Sequence, residues 1–352
     1  MKDTKIFKVN PEFPDQDKIA EAAAILRAGG LVAFPTETVY GLAALPHDAI
    51  AVEKLRYIKN RYEVKKFSFC VHNIEQAEEL IGDISSLAYK LMNKFWPGPL
   101  TLVLDSREGE TVGLRMPDHP IAQLLLEKVG EPIFAPSANF PGEKAPVNAR
   151  EVLEALDKKI DVLIDGGESA LKISSAVCKV TDDSFEILRP GAITQQMINY
   201  VVETKEFLFV CTGNSCRSAM AEGMMKKVVE GFENIHVSSA GVAAYDGMPA
   251  SKEAILVMKN QDIDISRHKA RRVTKGMLKQ ADFILVMDKS HKHHILNSMN
   301  GLEKKVFLLK EFSEEKFGDM AIQDPIGLHI SFYERVAREL QQSIEGLVAK
   351  IK

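Results

Sequence analysis

The stretch EFLFVCTGNSCRSAM, residues 206–220, joins an apolar strand, a short polar loop and the start of a helix. The pattern predicts a buried strand over 206–210, a loop over 211–216 and a helix over 217–231. Downstream, the alternation predicts strands at 235–238, 282–287 and 305–309 and helices at 250–260 and 329–351. Such alternation is typical of a four-stranded parallel, doubly wound sheet with helices on both faces.

The loop has the composition of an anion-binding site. A loop that opens a helix presents free backbone N–H groups and the positive end of the helix dipole. We expect Cys211, in that field and beside an arginine, to have a lowered pKa and to be a thiolate nucleophile. Arg217 can bind two phosphoryl oxygens with its planar guanidinium. We expect Gly213 to adopt a backbone conformation that other residues resist.

Transfer of a phosphoryl group to a thiolate also requires a proton for the leaving group. Asp324, followed by Pro325, lies in a predicted loop just before the last helix. An aspartic acid there could reach over the loop as general acid. An Asp-Pro pair is a common turn by itself, and only its combination with the cysteine loop favours this role.

Other interpretations of these side chains were weighed against the nucleophile. A buried, inert cysteine is the better prediction for Cys70 and Cys178. Cys211 and Cys216 could begin a metal site, but no third and fourth ligand follow at suitable spacing, so we predict no bound metal there. The His291-Lys292-His293-His294 run is more typical of a solvated helix start than of a metal cluster.

The first half has a different organisation. Helices predicted at 19–28, 75–82, 85–95, 120–129 and 148–156 alternate with strands such as 31–34 and 100–104, which indicates a mixed α/β sheet. A new buried strand begins at 206, and the domains are therefore predicted as 1–200 and 201–352. A length of 352 residues is consistent with about two domains.

The composition of the chain excludes several classes of protein. A net charge of −4 argues against a generally basic nucleic-acid-coating protein, and the hydrophobic share of 45% excludes a disordered chain. No apolar run approaches the ~20 residues that span a bilayer, so no membrane association is expected. Four cysteines do not make a disulfide framework, which favours a cytoplasmic location.

The second half resembles the low-molecular-weight phosphotyrosine phosphatase family over roughly 205–352. The motifs that carry the resemblance are Cys211-x5-Arg217-Ser218, Ser238-Ser239-Ala240-Gly241, residues 263–270 (IDISRHKA), residues 281–288 (ADFILVMD) and Asp324-Pro325. The resemblance implies a phosphorylated protein substrate, with Cys211 as nucleophile, Arg217 binding phosphate and Asp324 as general acid. It implies a phosphate loop of Thr212, Gly213, Asn214, Ser215, Cys216 and Ser218, with Asn214 and Ser218 shaping the loop and stabilising the thiolate.

The substrate stays open between phosphotyrosine and phosphoarginine. Arsenate reductases share the loop but use downstream redox cysteines, and this chain has no cysteine after 216. Tyrosine-directed members usually carry a bulky aliphatic residue at the position of Ser215 and aromatic residues after Asp-Pro. Here Ser215 and the Ile326-Gly327 pair are closer to the arginine-directed type.

The first half carries polar turns at the ends of predicted strands. These are GGLVAFPTETVYGL (29–42), Lys59-Asn60-Arg61 with Lys65-Lys66, FWPGPLT (95–101), GLRMP (113–117), PSAN (136–139) and LRPG (188–191). Loops at strand ends gather around ligands, and two or three fixed cations suit a polyphosphate. A charge run alone is usually a solvated face.

Together these motifs resemble the YrdC/Sua5 family of threonylcarbamoyl-AMP synthases over about residues 12–195. The resemblance implies synthesis of threonylcarbamoyladenylate from ATP, bicarbonate and L-threonine, with Mg²⁺ accompanying the ATP. The product would serve a tRNA-modification machinery at adenosine 37. The implied nucleotide contacts are Lys59, Arg61, Ser137, Asn139 and Arg189. The implied threonine contacts are Thr36, Thr38, His72, Arg115 and Ser175.

The first half departs from the family pattern in places. Tyr62 replaces the usual proline after Lys-x-Arg, and Val147 stands where a threonine is common. A YciO-like relative without synthase activity and a double-stranded RNA-binding module are therefore kept as alternatives, with the phosphatase as the only enzyme.

Overall fold

The computed structural model describes residues 3–60, 67–182, 184–313 and 319–351. The chain divides into two compact units, Met1–Val201 and Val202–Lys352. Within the described ranges, no helix has both the length and the apolar character needed to cross a bilayer.

The first unit is built on two sheets. Its strands are β1 (Lys5–Lys8), β2 (Val32–Phe34), β3 (Gly41–Ala43), β4 (Phe69–Cys70), β5 (Leu100–Asp105), β6 (Thr111–Arg115), β7 (Ile133–Phe134), β8 (Val162–Asp165), β9 (Ala176–Val180) and β10 (Phe185–Arg189). The strand orders are β1-β8-β2-β3 and β10-β9-β5-β6-β4-β7. Parallel pairs such as β5–β9 and antiparallel pairs such as β5–β6 occur in one sheet. The predicted mixed α/β character of this half is confirmed.

Short polar side chains begin the helices that cover these sheets. The helices are α1 (Gln16–Arg27), α2 (Ala49–Lys59), α3 (Ile74–Ile81), α4 (Ser86–Phe95), α5 (Pro120–Val129), α6 (Ala149–Leu156) and α7 (Gln195–Glu203). Asp48, for example, accepts hydrogen bonds from the N–H groups of Ile50 and Ala51 at the start of α2. That helix ends at Asn60 in the left-handed conformation, so Lys59 occupies its last turn.

The second unit contains the predicted parallel sheet. Its strands are β11 (Lys205–Cys211), β12 (Ile235–Gly241), β13 (Phe283–Val286) and β14 (Val306–Leu308). All neighbours are parallel and the order is β12-β11-β13-β14. The four-stranded doubly wound fold is therefore confirmed.

Alternation along β11 divides the apolar residues of this unit between two cores. Phe207 and Phe209 pack on one face of the sheet, and Leu208 and Val210 pack on the other. Because both faces are covered, the strand is apolar at almost every position.

The helices of the second unit are α8 (Arg217–Val228), α9 (Lys252–Lys259), α10 (Lys275–Gln280), α11 (Lys289–Ser298) and α12 (Ile330–Ile351), with a 3-10 turn at Leu309–Phe312. The sequence analysis predicted α8, α9 and α12 but gave no helix at α10. It expected only a helix start at α11. Each of these two helices begins at a polar N-cap, Thr274 and Asp288 respectively.

Candidate active sites

The polar loop of the second unit connects the end of β11 to the start of α8. Cys211 is the last residue of the strand and Arg217 the first of the helix. Cys216 is the N-cap of α8, but its side chain makes no capping hydrogen bond. The first turn therefore presents N–H groups toward the loop, which is the arrangement that binds anions.

Asn214 fixes the shape of this loop. Its side chain is fully buried and its φ is 56°, in the left-handed region. The side-chain amide donates to Ser218 Oγ at 2.9 Å and to Ser239 Oγ at 2.7 Å, and Oδ1 accepts from the N–H of Arg271 at 3.0 Å. These bonds hold a backbone conformation that few residue types adopt readily.

The prediction for Gly213 is wrong. Its φ lies outside the left-handed region, and a Cβ there would meet only Ser215 Oγ at 3.5 Å. The glycine that the loop does require is Gly241 at the end of β12, where a Cβ would lie 2.5 Å from the carbonyl oxygen of Thr212 and 2.9 Å from Asn214 N. The Ser-Ser-Ala-Gly motif therefore lets the loop pack against the neighbouring strand.

The thiol of Cys211 is surrounded by donors but deeply buried. Ser218 Oγ lies 3.0 Å from Sγ, and the N–H of Asn214 donates to Sγ at 3.2 Å. Burial is the largest influence and raises the pKa of Cys211, while the hydrogen bonds from Ser218, the charge of Arg217 and the Asn214 N–H lower it. The net pKa is above its ordinary value, which contradicts the predicted lowering. The sequence does not reveal how deeply the end of the strand is buried.

Arg217 is buried to 3% exposure and is held on both sides. NH2 donates to Asp324 Oδ2 at 2.5 Å, and NH1 donates to Asp288 Oδ2 at 3.4 Å and to the carbonyl oxygen of Ile322 at 3.1 Å. Nε is also buried but has no hydrogen-bond partner in the described structure. The predicted phosphate ligand and the predicted acid are thus in contact, and one guanidinium N–H is left for an incoming oxygen.

Asp288 and His291 were missed by the sequence analysis as parts of this site. Asp288 caps α11 and lies 3.0 Å (Oδ2) from His291 Nδ1. Burial is the largest single influence and raises the pKa of Asp288. The hydrogen bonds from Ser290 and the His291 N–H and the charges of His291 and Arg217 together outweigh it, so the net pKa is below its ordinary value. The expectation of a solvated histidine run is wrong for His291, which is 3% exposed. His293 and His294 are exposed.

Ser215 and Cys216 lie on the other side of the loop. Ser215 is half-buried, and its carbonyl oxygen accepts from Ser251 N at 2.9 Å. Cys216 Sγ lies 3.3 Å from Ser251 Oγ and 3.6 Å from the hydroxyl of Tyr333. All four cysteines of the chain are free thiols.

A cavity in the first unit collects most of the residues predicted for that half. Those that line it are Thr36, Lys59, Arg115, Ser137, Ser175 and Arg189. The lining also includes Tyr40, Ser68, Thr101 and Ser174, which the sequence analysis did not single out. Thr101 falls in the FWPGPLT turn, so its position at a strand start was the available signal. Arg61 lies outside the described residues.

The ammonium group of Lys59 is fully engaged at the edge of this cavity. Nζ donates to the carbonyl oxygens of Ser137 and Asn139 at 3.0 and 2.7 Å and to Asn139 Oδ1 at 3.1 Å. Ser137 Oγ also donates to Asn139 Oδ1 at 2.7 Å. Asn139 does not line the cavity itself. Through these hydrogen bonds Lys59 fixes the turn that contains Ser137 and Asn139.

Arg189 and Ser175 form a second polar group in the wall. The guanidinium donates to the carbonyl oxygen of Ser175 at 2.8 Å and to its Oγ at 3.2 Å. Ser175 Oγ lies 2.9 Å from Thr101 Oγ1. These contacts connect β10, β9 and β5, whose ends meet at the cavity.

Arg115 forms an ion pair on a third side of the cavity. Its NH2 lies 2.7 Å from Glu37 Oε1, and its Nε donates to the carbonyl oxygen of Gly98 at 3.2 Å. Thr36 Oγ1 lies 2.9 Å from Thr38 Oγ1, so Thr38 supports a lining residue without lining the cavity itself. His72 is half-buried and outside the lining, and its Nδ1 has no partner among the described residues.

Comparison with known proteins identifies both units. Residues 24–191 match the Sua5/YciO/YrdC family, described as telomere recombination, and residues 206–352 match the family described as low molecular weight phosphotyrosine protein phosphatase. A putative threonylcarbamoyl-AMP synthase of Mycobacterium tuberculosis is 34% identical over 194 residues, which are 52% of this chain and 88% of the relative. The chain belongs to the Sua5/YciO/YrdC family. The Sua5/YciO/YrdC domain forms its first half and the phosphatase domain its second.

Two further relatives resemble the Sua5/YciO/YrdC domain. The threonylcarbamoyl-AMP synthase of Bacillus subtilis is 42% identical over 195 residues, which are 53% of this chain but only 56% of that relative. The crystal structure of Pyrococcus abyssi Sua5 complexed with L-threonine is similar with a TM-score of 0.54 at 28% identity, covering 80% of this chain and 99% of that one. The chain thus spans little more than half the length of the Bacillus protein.

The contact between Ser218 and the thiol leads to a testable pH dependence. Replacing Ser218→Ala removes the largest of the influences that lower the pKa of Cys211. The pH midpoint for alkylation of Cys211 by iodoacetamide, followed by peptide mass spectrometry, should move to higher pH. Ser238→Ala, whose hydroxyl donates to the carbonyl oxygen of Phe207 instead, is the control and should leave the midpoint in place. An unchanged midpoint in Ser218→Ala would contradict the role of this hydroxyl.

Proposed function

We propose that the Sua5/YciO/YrdC domain makes threonylcarbamoyladenylate from ATP, bicarbonate and L-threonine, releasing pyrophosphate, for modification of adenosine 37 of tRNA. The observation that carries this proposal is the cavity in which Lys59, Arg115 and Arg189 surround a group of hydroxyl side chains. The names of the Bacillus and Mycobacterium relatives and the threonine complex of Pyrococcus Sua5 support the choice of reaction.

The proposed reaction has two bond-forming steps. The amine of threonine attacks the carbon of bicarbonate, and loss of water leaves a carbamate. An oxygen of that carbamate attacks the α-phosphorus of ATP, and the bond to the β-phosphate oxygen breaks, so that pyrophosphate leaves with the electron pair. Fixed cations near the phosphates would stabilise the negative charge as it moves to the leaving group.

The contacts of Lys59 suggest how it would contribute. Since protein oxygens already accept from its Nζ, Lys59 would act through its positive charge and by fixing the Ser137–Asn139 turn. The Ser137 hydroxyl would then face the nucleotide from a rigid turn. Arg189 would hold Ser175 in the same way on the opposite wall.

Mg²⁺ would accompany the nucleotide. The cavity lining offers hydroxyl groups but no carboxylate, and no cluster of three potential metal-ligating side chains occurs among the described residues. Mg²⁺ prefers carboxylate and phosphate oxygens. This donor set does not fit a metal held by the protein, so we propose that phosphate oxygens of ATP hold the ion.

Removing the charge of Lys59 tests the synthase proposal. Lys59→Met keeps the length of the side chain but removes the cation, and turnover should fall by about 10²–10³-fold. The measurement is threonylcarbamoyladenylate by mass spectrometry together with pyrophosphate release. Lys54→Met, an exposed lysine on the same helix, is the control and should keep normal turnover. A folded Lys59→Met protein with normal turnover would remove Lys59 from the site.

The alternatives for this domain make different predictions in the same assay. The YciO protein of Escherichia coli is 29% identical over 199 residues, which are 96% of its own length, so the YciO-like alternative has a relative of matching length. A domain of that kind, or one that only binds double-stranded RNA, would release no pyrophosphate from ATP in the presence of bicarbonate and threonine. Threonine-dependent pyrophosphate release would exclude both.

We propose that the second domain hydrolyses phosphorylated protein side chains through a cysteinyl-phosphate. The observation that carries this proposal is the contact of Arg217 with Asp324 beside Cys211, with the buried Nε of Arg217 left without a partner. The thiolate of Cys211 would attack phosphorus, and the bond between phosphorus and the leaving atom would break. Asp324 would give the leaving atom a proton that the carboxylate takes up from solvent after leaving Arg217. Water would then release phosphate from the cysteine. Asp324 pairs with Arg217, so an incoming phosphoryl group would have to displace it.

The two cysteines of the loop allow a matched test of the nucleophile. Cys211→Ser should abolish hydrolysis of p-nitrophenyl phosphate, because a serine hydroxyl has a pKa far above that of a thiol and is the weaker nucleophile. Cys216→Ser makes the same change in a side chain that contacts Ser251 and Tyr333, and most activity should remain. Steady-state rates of nitrophenol release give the comparison. Full activity in Cys211→Ser would rule out the cysteinyl-phosphate.

Ser215 tests the choice of phosphorylated side chain. We propose a preference for phosphoarginine, because a buried guanidinium needs a polar neighbour and a phenol ring packs better against an aliphatic one. Ser215→Ile should lower the ratio of kcat/KM for phosphoarginine over phosphotyrosine by about 10–100-fold, or about 1.4–2.7 kcal/mol. If the wild-type enzyme prefers phosphotyrosine, or if Ser215→Ile leaves the ratio unchanged, the arginine-directed interpretation is wrong and the tyrosine-directed one stands.

We also propose a cytoplasmic location. All four cysteines are free and buried, as expected for a protein of a reducing compartment.

A further inference from the structure

His291 is a buried side chain that the proposed phosphatase reaction does not use. It lies on the first turn of α11 and is 3% exposed. Its Nε2 lies 2.9 Å from Thr212 Oγ1 in the phosphate loop. Its Nδ1 lies 3.0 Å from Asp288 Oδ2, at ion-pair distance but outside hydrogen-bond geometry. The imidazole therefore connects the loop to the carboxylate that caps its own helix.

Both neighbours of His291 also contact Arg217. NH2 of Arg217 donates to Thr212 Oγ1 at 3.4 Å, and NH1 donates to Asp288 Oδ2 at 3.4 Å. The four side chains Arg217, Thr212, His291 and Asp288 thus form a closed ring, which we call the arginine ring. His291 is the member of the ring opposite the guanidinium.

The charge state of His291 suits this ring. Burial is the largest influence and lowers its pKa, Arg217 and His294 lower it as well, and Asp288 and Asp324 raise it, with a net pKa below the ordinary value. A neutral imidazole has one N–H and one acceptor nitrogen. With the proton on Nδ1, which faces the carboxylate, Nε2 can accept from the Thr212 hydroxyl. The hydroxyl oxygen remains free to accept from Arg217.

The ring becomes more important once a substrate is bound. In the proposed reaction Asp324 leaves Arg217 to protonate the leaving group, which removes the shortest contact of the guanidinium. The contacts that remain are the carbonyl oxygen of Ile322 and the two ring members, Thr212 and Asp288. Without them the guanidinium could rotate about its side-chain torsions, and its Nε would no longer be directed at the phosphoryl group.

We propose that His291 is a positioning residue that holds the arginine ring together and so fixes Arg217 for phosphate binding. This role rests on the proposed phosphatase function. It assigns to His291 an effect on the affinity for phosphate, transmitted through Thr212 and Asp288 rather than by contact with the substrate.

The test measures the competitive inhibition constant of inorganic phosphate and the kcat and KM for p-nitrophenyl phosphate. His291→Ala should weaken phosphate inhibition about tenfold and raise KM to a similar extent, since Arg217 would no longer be held in place for its charge-assisted contacts with phosphate. His291→Gln should recover part of the affinity, because its amide can still accept from the Thr212 hydroxyl. His294→Ala, an exposed histidine three residues along the same helix, is the control and should behave like the wild type.

A double-mutant cycle separates positioning from a general loss of folding. Thr212→Val removes the hydroxyl that connects His291 to Arg217, so Thr212→Val combined with His291→Ala should weaken phosphate inhibition no more than either change alone. Additive effects, an unchanged inhibition constant in His291→Ala, or equal losses in His291→Gln and His291→Ala would overturn the proposal. Calorimetric titration of inorganic phosphate into the Cys211→Ser protein and its His291→Ala derivative gives the same comparison without turnover. A wild-type protein that binds phosphate but hydrolyses no phosphate ester would instead contradict the proposed function.

Discussion

The buried guanidinium of Arg217 is the constraint on which the phosphatase domain depends. A charge that is 3% exposed requires partners of opposite charge, because an unpaired buried ion is strongly destabilising. Those partners come from segments far apart in the chain, Asp288 after β13 and Asp324 before α12. Cys211 ends β11 and Asp288 follows β13, and the strand order reverses between these two strands. A crevice forms at that point of a doubly wound sheet. The topology therefore assembles the site where the arginine needs its counter-charges.

In the Sua5/YciO/YrdC domain, the cations that line the cavity have a different kind of partner. Lys59 and Arg189 donate mainly to carbonyl oxygens, which belong to the backbone and stay in place when a ligand binds. Of the three cations that line the cavity, Arg115 is the one described here as paired with a carboxylate, that of Glu37. A cavity of this kind is preorganised, since its charges are already oriented before substrates arrive. In the phosphatase domain, one partner of the buried cation, Asp324, would instead have to move during the proposed reaction.

Much of the fold and of the reacting groups could be predicted from the sequence, because the information is local. The cysteine, the arginine and the helix start are adjacent in the chain, and the strands of the second half alternate with helices at regular spacing.

The parts of the site that the sequence did not predict depend on burial and on long-range contacts. His291 stands in a polar run, and only its spacing of four residues from the buried Ile295 indicated that it faces inward. Asp288 is separated from Arg217 by 71 positions, and nothing in the local pattern connects them. The direction in which the pKa of Cys211 shifts depends on how deeply the thiol is buried, and the sequence does not show this.

The pairing of Arg217 with Asp324 also bears on how the phosphate site would respond to salt. A cationic pocket that is open to solvent usually attracts small anions, and binding of its ligand then depends steeply on ionic strength. Here the loop carries its own counterion, held at 2.5 Å by the guanidinium. Binding of a phosphoryl group would consequently exchange one anion for another. A singly charged ion such as chloride brings no more charge to Arg217 than the Asp324 carboxylate already supplies, so it would gain no extra Coulomb attraction by displacing that carboxylate.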